Sequence, residues 1–266
     1  MISSRHLLRF RVGVERGLVQ RYDRNLMIIL AADTSTSFLS VAICESIDGG
    51  NGVRVIAEST TEADRRHCER LLDTMDRLLD EAGMTLSKVE LLAISKGPGS
   101  FTGLRVGLAT WKGLALGSEI PLVGVSTLDA MTHSVSMNDG TLCVLLDARM
   151  DEVFASVYHY RAGTRTQLLA ECVGPVETMF EHCEEQTVFM GDGATRYRDQ
   201  IKTWRVDASI AEDSLHAPQA SGVAAEVWAR AAKGYTDEAT SIAPVYLRRS
   251  QAEEARDTAT PSPDAS

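Results

Sequence analysis

Alternating apolar and polar positions divide the chain into short strands and helices. Met27–Ala32 is an apolar run that predicts a buried strand, and Phe38–Cys44 predicts a second strand just beyond it. The turn at 49–52 is rich in glycine, as hairpin turns are, and Val53–Glu58 predicts a third strand. The fold therefore begins with an antiparallel β-meander.

A regular alternation of helices and strands follows the meander. The first helix is marked by Leu71, Met75, Leu78 and Ala82, which recur at helical spacing, and it stops at Gly83. After it come a strand at Leu91–Ser95, a helix at Thr102–Gly117 and a strand at Pro121–Val125. Such alternation predicts that the sheet continues with parallel strands. The sequence thus indicates an α/β fold with a mixed sheet.

The strand, acid and turn around Asp33 have a counterpart later in the chain. Cys143–Leu146 predicts a strand that ends at Asp147, and a short turn leads to a strand at Val153–Tyr158. Two such arrangements more than 110 residues apart indicate two related lobes, although a chance match between two hairpins would give the same pattern. The remaining predicted elements are a strand at Thr187–Met190 and a helix at Gln219–Lys233.

Charge, apolar content and cysteine usage exclude several classes of protein. The 266 residues are 44% hydrophobic with a formal net charge of −10, and no apolar run approaches the roughly 18 residues of a membrane span. Phosphate backbones are bound through Lys and Arg, so an acidic chain is poorly suited to hold RNA without a partner. Five scattered cysteines without a C-x-x-C pair argue against a zinc site and favour reduced thiols in the cytoplasm.

Both ends of the chain differ in composition from its centre. Residues 1–26 hold six arginines against two acids, a local charge of +4 (6 − 2). This basic extension is an organellar targeting leader, a disordered extension, or a misassigned start, in which case translation begins at Met27. Residues 251–266 are rich in Ala, Pro, Ser and Thr and predict a disordered tail.

The segment Gly97–Gly103 is a candidate for chemistry, because it lies between a predicted buried strand and a predicted helix. Its glycines allow close approach of the backbone, and a helix N-terminus offers N–H groups to an anion. It is neither a Walker A loop, which needs Gly-Lys-Ser/Thr, nor a G-x-S-x-G elbow, since Pro98 and Thr102 stand where glycines are required. A phosphate cradle and a tight structural turn therefore remain as alternatives.

The following helix carries glycines in two pairs spaced by four residues, Gly103 with Gly107 and Gly113 with Gly117. Residues four apart share a helix face, and each interior glycine costs about 1 kcal/mol relative to alanine. Close packing of a neighbouring element compensates for this cost, and that neighbour is either the protein's own sheet or a second protein. Leucine in place of Gly107 is expected to block pairing with a second protein while leaving the fold largely intact.

Five segments of the chain together match the pattern of a known family. The central one is Lys96–Arg105, with the sequence KGPGSFTGLR. The four others are Ile29–Thr36, Gly124–Leu128, Asp147–Met150 and Pro244–Arg248. In this order the five segments resemble the TsaB (YeaZ) family, and the residues that match its signature loop are Gly97, Pro98, Gly99, Ser100, Phe101, Thr102, Gly103 and Arg105.

This resemblance implies a two-lobed, actin-like (ASKHA) α/β fold in which each lobe is a mixed sheet with flanking helices. It implies a non-catalytic scaffold subunit for the formation of N6-threonylcarbamoyladenosine in tRNAs that read codons beginning with A. The implied partners are a catalytic TsaD subunit and a TsaE-like ATPase, with tRNA contacted only through the complex and a homodimer when the chain is alone. No catalytic residue, metal or cofactor is implied, beyond weak or partner-dependent binding of ATP or ADP.

The resemblance also assigns two groups of residues. The dimer face, on the helices around Arg66–Ala82 and Thr102–Gly117, comprises His67, Leu71, Met75, Leu78, Gly103, Gly107 and Trp111. The remnant of a nucleotide cleft comprises Asp33, Thr34, Ser35, Asp147, Gly191 and Gly193. Asp33 is explained equally well as an acid that caps a turn.

The catalytic relative of this family binds a metal through two histidines four apart, and this chain holds Thr127 and Met131 at the matching positions. Neither is a suitable metal ligand, and His133 stands alone nearby. The alternative left open by Asp33 and the implied fold is an ATP-binding, actin-like small-molecule kinase or hydrolase.

The predicted organisation is an extension at 1–26, a first lobe at 27–127, a reduced second lobe at 128–217, a returning C-terminal helix and strand at 218–250, and a tail at 251–266.

Overall fold

The computed structural model describes residues 26–47, 52–63, 67–231, 237 and 240–248. The predictions for the basic extension up to residue 25, for most of the first hairpin turn and for the C-terminal tail lie outside these residues. Within them, two separate five-stranded sheets form the framework of the protein.

The first sheet begins as the predicted meander and continues in parallel. Its strands are β1 (Ile28–Asp33), β2 (Phe38–Ser46), β3 (Val53–Glu62), β4 (Leu91–Ser95) and β5 (Leu122–Val125). Their order is β3-β2-β1-β4-β5, antiparallel among the first three and parallel from β1 through β4 to β5. Both parts of the prediction are confirmed, and β3 extends beyond the predicted Glu58 to Glu62.

The second sheet repeats this arrangement. Its strands are β6 (Gly140–Arg149), β7 (Glu152–Arg161), β8 (Thr164–Gly174), β9 (Thr187–Met190) and β10 (Ser209–Ile210). Their order is β8-β7-β6-β9-β10, with the same strand directions at each step as in the first sheet. The predicted internal repeat is therefore a duplicated sheet topology, in which Asp33 and Asp147 lie near the ends of equivalent strands.

Helices connect and cover the strands. The α-helices in the described part of the chain are α1 (His67–Glu81), α2 (Phe101–Ser118), α3 (Thr127–Met131), α4 (Asp192–Arg196), α5 (Arg198–Trp204) and α6 (Ala220–Ala231). Among them, no helix has the length and apolar character needed to cross a membrane.

The first sheet is buried on both faces. On one face, Leu71, Met75 and Leu78 of α1 and Trp111 of α2 join the apolar side chains of the strands. On the other face, α6 packs against the sheet through side chains such as Val223. A sheet covered on both sides explains why β1 and β4 are apolar along nearly their whole length.

The C-terminal segment returns from the second sheet to the first. α6 confirms the predicted helix. Asp237 forms an isolated antiparallel bridge with Leu122 of β5, residues 240–248 are not in a strand, and the returning strand within 218–250 stays a prediction. The segment passes the end of β4 instead of pairing along it, and the N–H of Val245 donates to the carbonyl oxygen of Lys96 over 2.7 Å. The lobe boundaries at 127/128 and 217/218 stay predictions.

A half-buried charged network connects the second sheet to α3 and α6. Glu226 of α6 is 2.8 Å from Arg165 of β8 and 2.8 Å from Nε2 of His133. Tyr158 of β7 donates to Asp129 of α3 over 2.9 Å. Burial alone would raise the pKa of Glu226, but the contacts with His133 and Arg165 outweigh burial and lower this pKa to about 2. For Asp129 burial is the larger influence, and its pKa is raised.

Candidate functional site

The signature loop joins the end of β4 to the start of α2. The peptide bond between Gly97 and Pro98 is cis, and Gly97 and Gly99 have φ angles of +114° and +153°, which glycine adopts most readily. The side chain of Ser100 then caps α2 by accepting a hydrogen bond from the N–H of Gly103 over 3.3 Å. The loop is thus a defined structural connection that ends in a capped helix.

The loop packs directly on the turn that follows β1. The N–H of Ser100 donates to the carbonyl oxygen of Ser35 over 2.5 Å, and the hydroxyl of Thr34 donates to the carbonyl oxygen of Gly103 over 2.8 Å. A Cβ atom added at Gly99 would lie 2.3 Å from the Ser35 carbonyl oxygen, and one at Gly103 would lie 2.0 Å from that of Thr34. Of the two alternatives for this loop, the contacts therefore favour the tight structural turn over the phosphate cradle.

The two glycine pairs of α2 face different surroundings. A Cβ atom at Gly107 would lie 2.2 Å from the hydroxyl oxygen of Thr34, so Gly103 and Gly107 serve contact with the protein's own first turn. At Gly113 and Gly117 nothing lies within 4 Å of such an atom. The expectation that leucine at Gly107 leaves the fold intact is therefore wrong, because that side chain has no space.

The segment after β5 also contacts the signature loop. The N–H of Thr127 donates to the carbonyl oxygen of Gly97 over 2.8 Å, and Ser126 caps α3. Burial raises the pKa of Glu171 on β8, against the opposing influence of a hydrogen bond with Ser126 and the charge of Lys96. The start of α3 thus lies between the loop and the second sheet.

The C-terminal residues 245–248, here called the strap, reach the loop from its other side. Besides the bond from Val245 to Lys96, the carbonyl oxygen of Val245 lies 2.6 Å from the position of a Cβ atom at Gly97. Tyr246 contacts both Phe101 and Arg105 at the start of α2. The strap is therefore fixed to the first sheet at its beginning.

The far end of the strap contacts the second sheet. Arg248 donates to the carbonyl oxygen of Ala148 over 2.9 Å and forms an ion pair with Glu152. These two residues flank a turn in which Arg149, Met150 and Asp151 have φ angles of +63°, +54° and +58°. Three consecutive non-glycine residues in the left-handed region are unusual, since each costs roughly 1–2 kcal/mol.

All five segments that resemble the TsaB (YeaZ) family meet at this one junction. The turn after β1, the signature loop, the start of α3, the turn after β6 and the strap are joined by the contacts of Ser35, Gly97, Thr127, Ala148 and Arg248. Segments from both ends of the described chain thus form a single structural unit, and the hydrogen bond between Arg105 and Tyr246 alone joins residues 141 positions apart.

The acids assigned to a nucleotide cleft are held by their own turns. Oδ1 of Asp33 accepts hydrogen bonds from the N–H and the hydroxyl of Ser35, over 2.9 and 2.8 Å. Oδ1 of Asp147 accepts from the N–H of Arg149 over 3.0 Å, and its Oδ2 is 3.3 Å from Arg196. The bonds of Asp33 fit the turn-capping interpretation, and the assignment of these residues to a nucleotide cleft stays a prediction.

An open cavity of about 420 Å³ lies beside Asp147. Gly191 and Gly193 lie close to it, and a Cβ atom at either would come within 3.0 Å of Leu145 backbone atoms. Asp192 accepts a hydrogen bond from the N–H of Asp147 over 2.9 Å, and burial raises the pKa of Asp192. The residues lining the cavity are Asp147, Asp192, Thr195, Arg196, Asp213 and His216. Thr195, Arg196, Asp213 and His216 were not identified from the sequence, because only the fold brings them beside Asp147.

The residues assigned to the dimer face are mostly inside the protein. Those with buried side chains or buried glycine backbone are Leu71, Met75, Leu78, Gly103, Gly107 and Trp111. His67 is the first residue of α1. If these helices form an interface, they must offer other positions, such as Leu72 on α1 and Leu116 on α2, which are 43% and 59% exposed.

The positions that match the family's metal-binding histidines lie in α3. Thr127 and Met131 are both buried there, and His133 is engaged with Glu226. Over the part of the chain that the structure describes, no three His, Cys, Asp or Glu side chains form a group that could hold a metal ion.

The duplicated five-stranded sheets and the junction between them define an α/β protein with two mixed sheets and flanking helices. A family model described as "TsaD: tRNA N6-adenosine threonylcarbamoyltransferase" matches residues 54–256. The solved structure of YeaZ from Pseudomonas aeruginosa is 30% identical, with a TM-score of 0.70 over 83% of this chain and 100% of that one. The chain belongs to the TsaB (YeaZ) family, which is related to TsaD.

Curated relatives agree with this membership. The Escherichia coli "tRNA threonylcarbamoyladenosine biosynthesis protein TsaB" is 40% identical over 50% of this chain, and the match spans about half (55%) of that protein's length. The Bacillus subtilis protein of the same name is 28% identical over 85% of this chain and 96% of its own length. The similarity thus extends over both lobes.

Proposed function

We propose that this chain is a non-catalytic subunit in the formation of N6-threonylcarbamoyladenosine in tRNA, and that it pairs with a TsaD-type transferase subunit. The main support is the packing of the signature loop. Atoms of Thr34, Ser35 and Val245 occupy the space beside its glycines, so the loop acts as a structural connection at the junction. The names of the Escherichia coli and Bacillus subtilis relatives support the same pathway.

The residues at the matching metal positions support a non-catalytic role. Thr127 and Met131 provide no ligand of the kind a catalytic metal needs, and both contribute to the packing of α3. Transfer chemistry in the assembly is then performed by the TsaD-type subunit, and this chain stabilises that subunit.

The outward face of α2 is the proposed pairing surface. Ala109, Gly113, Leu116 and Gly117 lie on the exposed side of this helix, and Leu72 of α1 is exposed beside it in the same layer. Small residues let a second helix approach closely, and such an approach compensates for the helix-weakening glycines. A second copy of the chain would occupy this surface when the TsaD-type subunit is absent.

Contact with tRNA is assigned to the assembly as a whole. A net charge of −10 opposes tight binding of a phosphate backbone by this chain alone. Basic surfaces on the TsaD-type subunit and on a TsaE-like ATPase partner would supply that affinity.

Activity measurements with and without the partner test the proposal. The purified chain is expected to show no threonylcarbamoyl transfer alone and to support transfer when combined with the TsaD-type subunit. Gly113→Arg is expected to abolish pairing in co-purification, whereas Val206→Arg, at a position 83% exposed near α5, leaves it unchanged. Transfer by the chain alone would contradict the non-catalytic role, and unimpaired pairing of Gly113→Arg would contradict the pairing surface.

A second candidate function is that of an ATP-binding, actin-like kinase or hydrolase, which the cavity beside Asp147 and Asp192 favours. Calorimetric titration of the isolated chain with ATP and Mg²⁺ separates the two candidates. Tight binding supports the enzyme, and heats no larger than dilution count against it.

A further inference from the structure

The strap contacts both the signature loop and the turn after β6 in the second sheet. At its first residue, the N–H of Val245 bonds to the Lys96 carbonyl oxygen over 2.7 Å. At its last residue, Arg248 bonds to the Ala148 carbonyl oxygen over 2.9 Å and pairs with Glu152. Four consecutive residues therefore span the gap between the end of β4 and the turn after β6.

The two ends of the strap are held by different kinds of contact. The first end is held by a backbone bond and by the ring of Tyr246, which lies 4.9 Å from that of Phe101. Among the described residues, the second end is held by two contacts that the Arg248 guanidinium makes. Release of this one side chain removes both of these contacts.

The Arg248–Glu152 pair is accessible to solvent to a degree that permits such release. The side chains of Arg248 and Glu152 are 20% and 31% exposed, so the pair is partly screened by water. Local opening that breaks only a few surface contacts costs much less free energy than global unfolding.

The turn that Arg248 holds is itself in an unfavourable conformation. Its three left-handed residues, Arg149 to Asp151, are retained by contacts from outside the turn: Arg248 on one side, and Arg196 on the other, which pairs with Asp147 and Asp151. Strained segments persist only where the surroundings hold them, so loss of one such contact is expected to loosen the turn.

We infer that residues 245–248 form a latch between the two lobes, with the Arg248–Glu152 pair as its release point. When the pair opens, the strap leaves the second sheet, and the turn after β6 and the anchor of the strap on the signature loop loosen together. The latch couples the junction of the first sheet to that of the second, and it does so whether or not the proposed function is right.

Amide hydrogen exchange of the full-length chain, resolved by residue, tests the latch. Removal of a charged hydrogen-bonded contact in Arg248→Ala or Glu152→Gln is expected to speed exchange of the Val245 and Arg149 amides together by roughly tenfold or more. Arg196→Ala is the matched control, because Arg196 contacts the same turn without contacting the strap. It is expected to speed the Arg149 amide and leave the Val245 amide unchanged.

A double variant that swaps the two charged residues distinguishes loss of the ion pair from general destabilisation of the fold. Arg248→Glu combined with Glu152→Arg is expected to restore slow exchange at Val245 relative to either single substitution, and Arg248→Lys should give an intermediate rate. A Val245 amide within about twofold of the unsubstituted chain in Arg248→Ala would overturn the latch. So would equal acceleration at Val245 in Arg196→Ala.

Discussion

The Nε atom of Arg105 donates a hydrogen bond of 2.8 Å to the hydroxyl of Tyr246, a residue 141 positions further along the chain. The Arg105 guanidinium also lies 3.7 Å from the centre of the Phe101 ring, which in turn lies 4.9 Å from the ring of Tyr246. One arginine of the signature loop therefore donates a hydrogen bond to Tyr246 of the strap and stacks on Phe101, the ring against which Tyr246 packs. This explains in physical terms why the two sequence segments occur together.

Substitution of Tyr246 separates the hydroxyl from the ring. Tyr246→Phe removes only the hydrogen bond, and because this site is partly exposed we expect a loss of about 1 kcal/mol or less in the free energy of unfolding. Tyr246→Ala also removes the ring contacts and is expected to cost roughly 1–2 kcal/mol more. Denaturant titration measures both losses. Equal losses in the two variants would show that the hydroxyl, and not the ring, holds the strap.

Alanine at two glycines of α2 is expected to have opposite effects. Gly107→Ala places a Cβ atom 2.2 Å from the Thr34 hydroxyl oxygen, so we expect a loss of roughly 1–3 kcal/mol from forced displacement. Gly113→Ala meets nothing within 4 Å and should stabilise the helix by about 0.5–1 kcal/mol. Thermal unfolding of both variants gives the comparison. An unchanged melting temperature for Gly107→Ala would contradict the contact with Thr34.

These two glycines also show what the sequence could not reveal about the site. Gly103 with Gly107 and Gly113 with Gly117 have the same spacing, and spacing predicts only that each pair shares a helix face. Whether a helix face meets the protein's own turn or open space depends on tertiary packing. Gly107 is packed because Thr34, 73 positions away in the chain (107 − 34), lies beside it in the fold.

Strands with apolar, buried sequence patterns were predicted from the sequence. β1, β4 and β6 are apolar over most of their length because helices or sheet neighbours cover them, and their patterns were recognised. β8 was missed, since it is an edge strand with a mostly exposed and polar first half, Thr164–Gln167. α4 and α5 were missed because helices of five and seven residues are too short to show a period.

Glycine at Met150 is expected to stabilise the turn after β6. Met150 has a φ angle of +54° and is 64% exposed, so its side chain contributes conformational strain with little burial. Met150→Gly removes that strain and is expected to raise the free energy of unfolding by up to about 1 kcal/mol, after the greater freedom of glycine in the unfolded chain is subtracted. Met150→Val is the control, and its β-branched side chain should lower stability. A loss of stability with glycine would contradict the strain.

The network around Glu226 makes the stability of the protein dependent on pH. The pKa of Glu226 is lowered from an ordinary value of 4.5 to about 2: burial opposes this change, and the His133 hydrogen bond and the Arg165 charge produce it. A carboxyl whose pKa is depressed in the folded state stabilises the protein above the pKa of the unfolded state. That contribution is lost as the pH falls from about 4.5 towards 2.

Glu226→Gln is therefore expected to destabilise the protein strongly near neutral pH and less in acid. At pH 6 the loss in the free energy of unfolding should be roughly 3 kcal/mol, and it should fall to roughly 1 kcal/mol at pH 3, where the carboxyl of the unfolded chain is already protonated. Denaturant titration of both proteins at the two pH values measures the difference. Glu185→Gln serves as the control, because Glu185 is 83% exposed and its pair with Arg205 is a surface contact. A loss for Glu226→Gln that is the same at pH 6 and pH 3 would show that the side chain acts by packing, not by its charge.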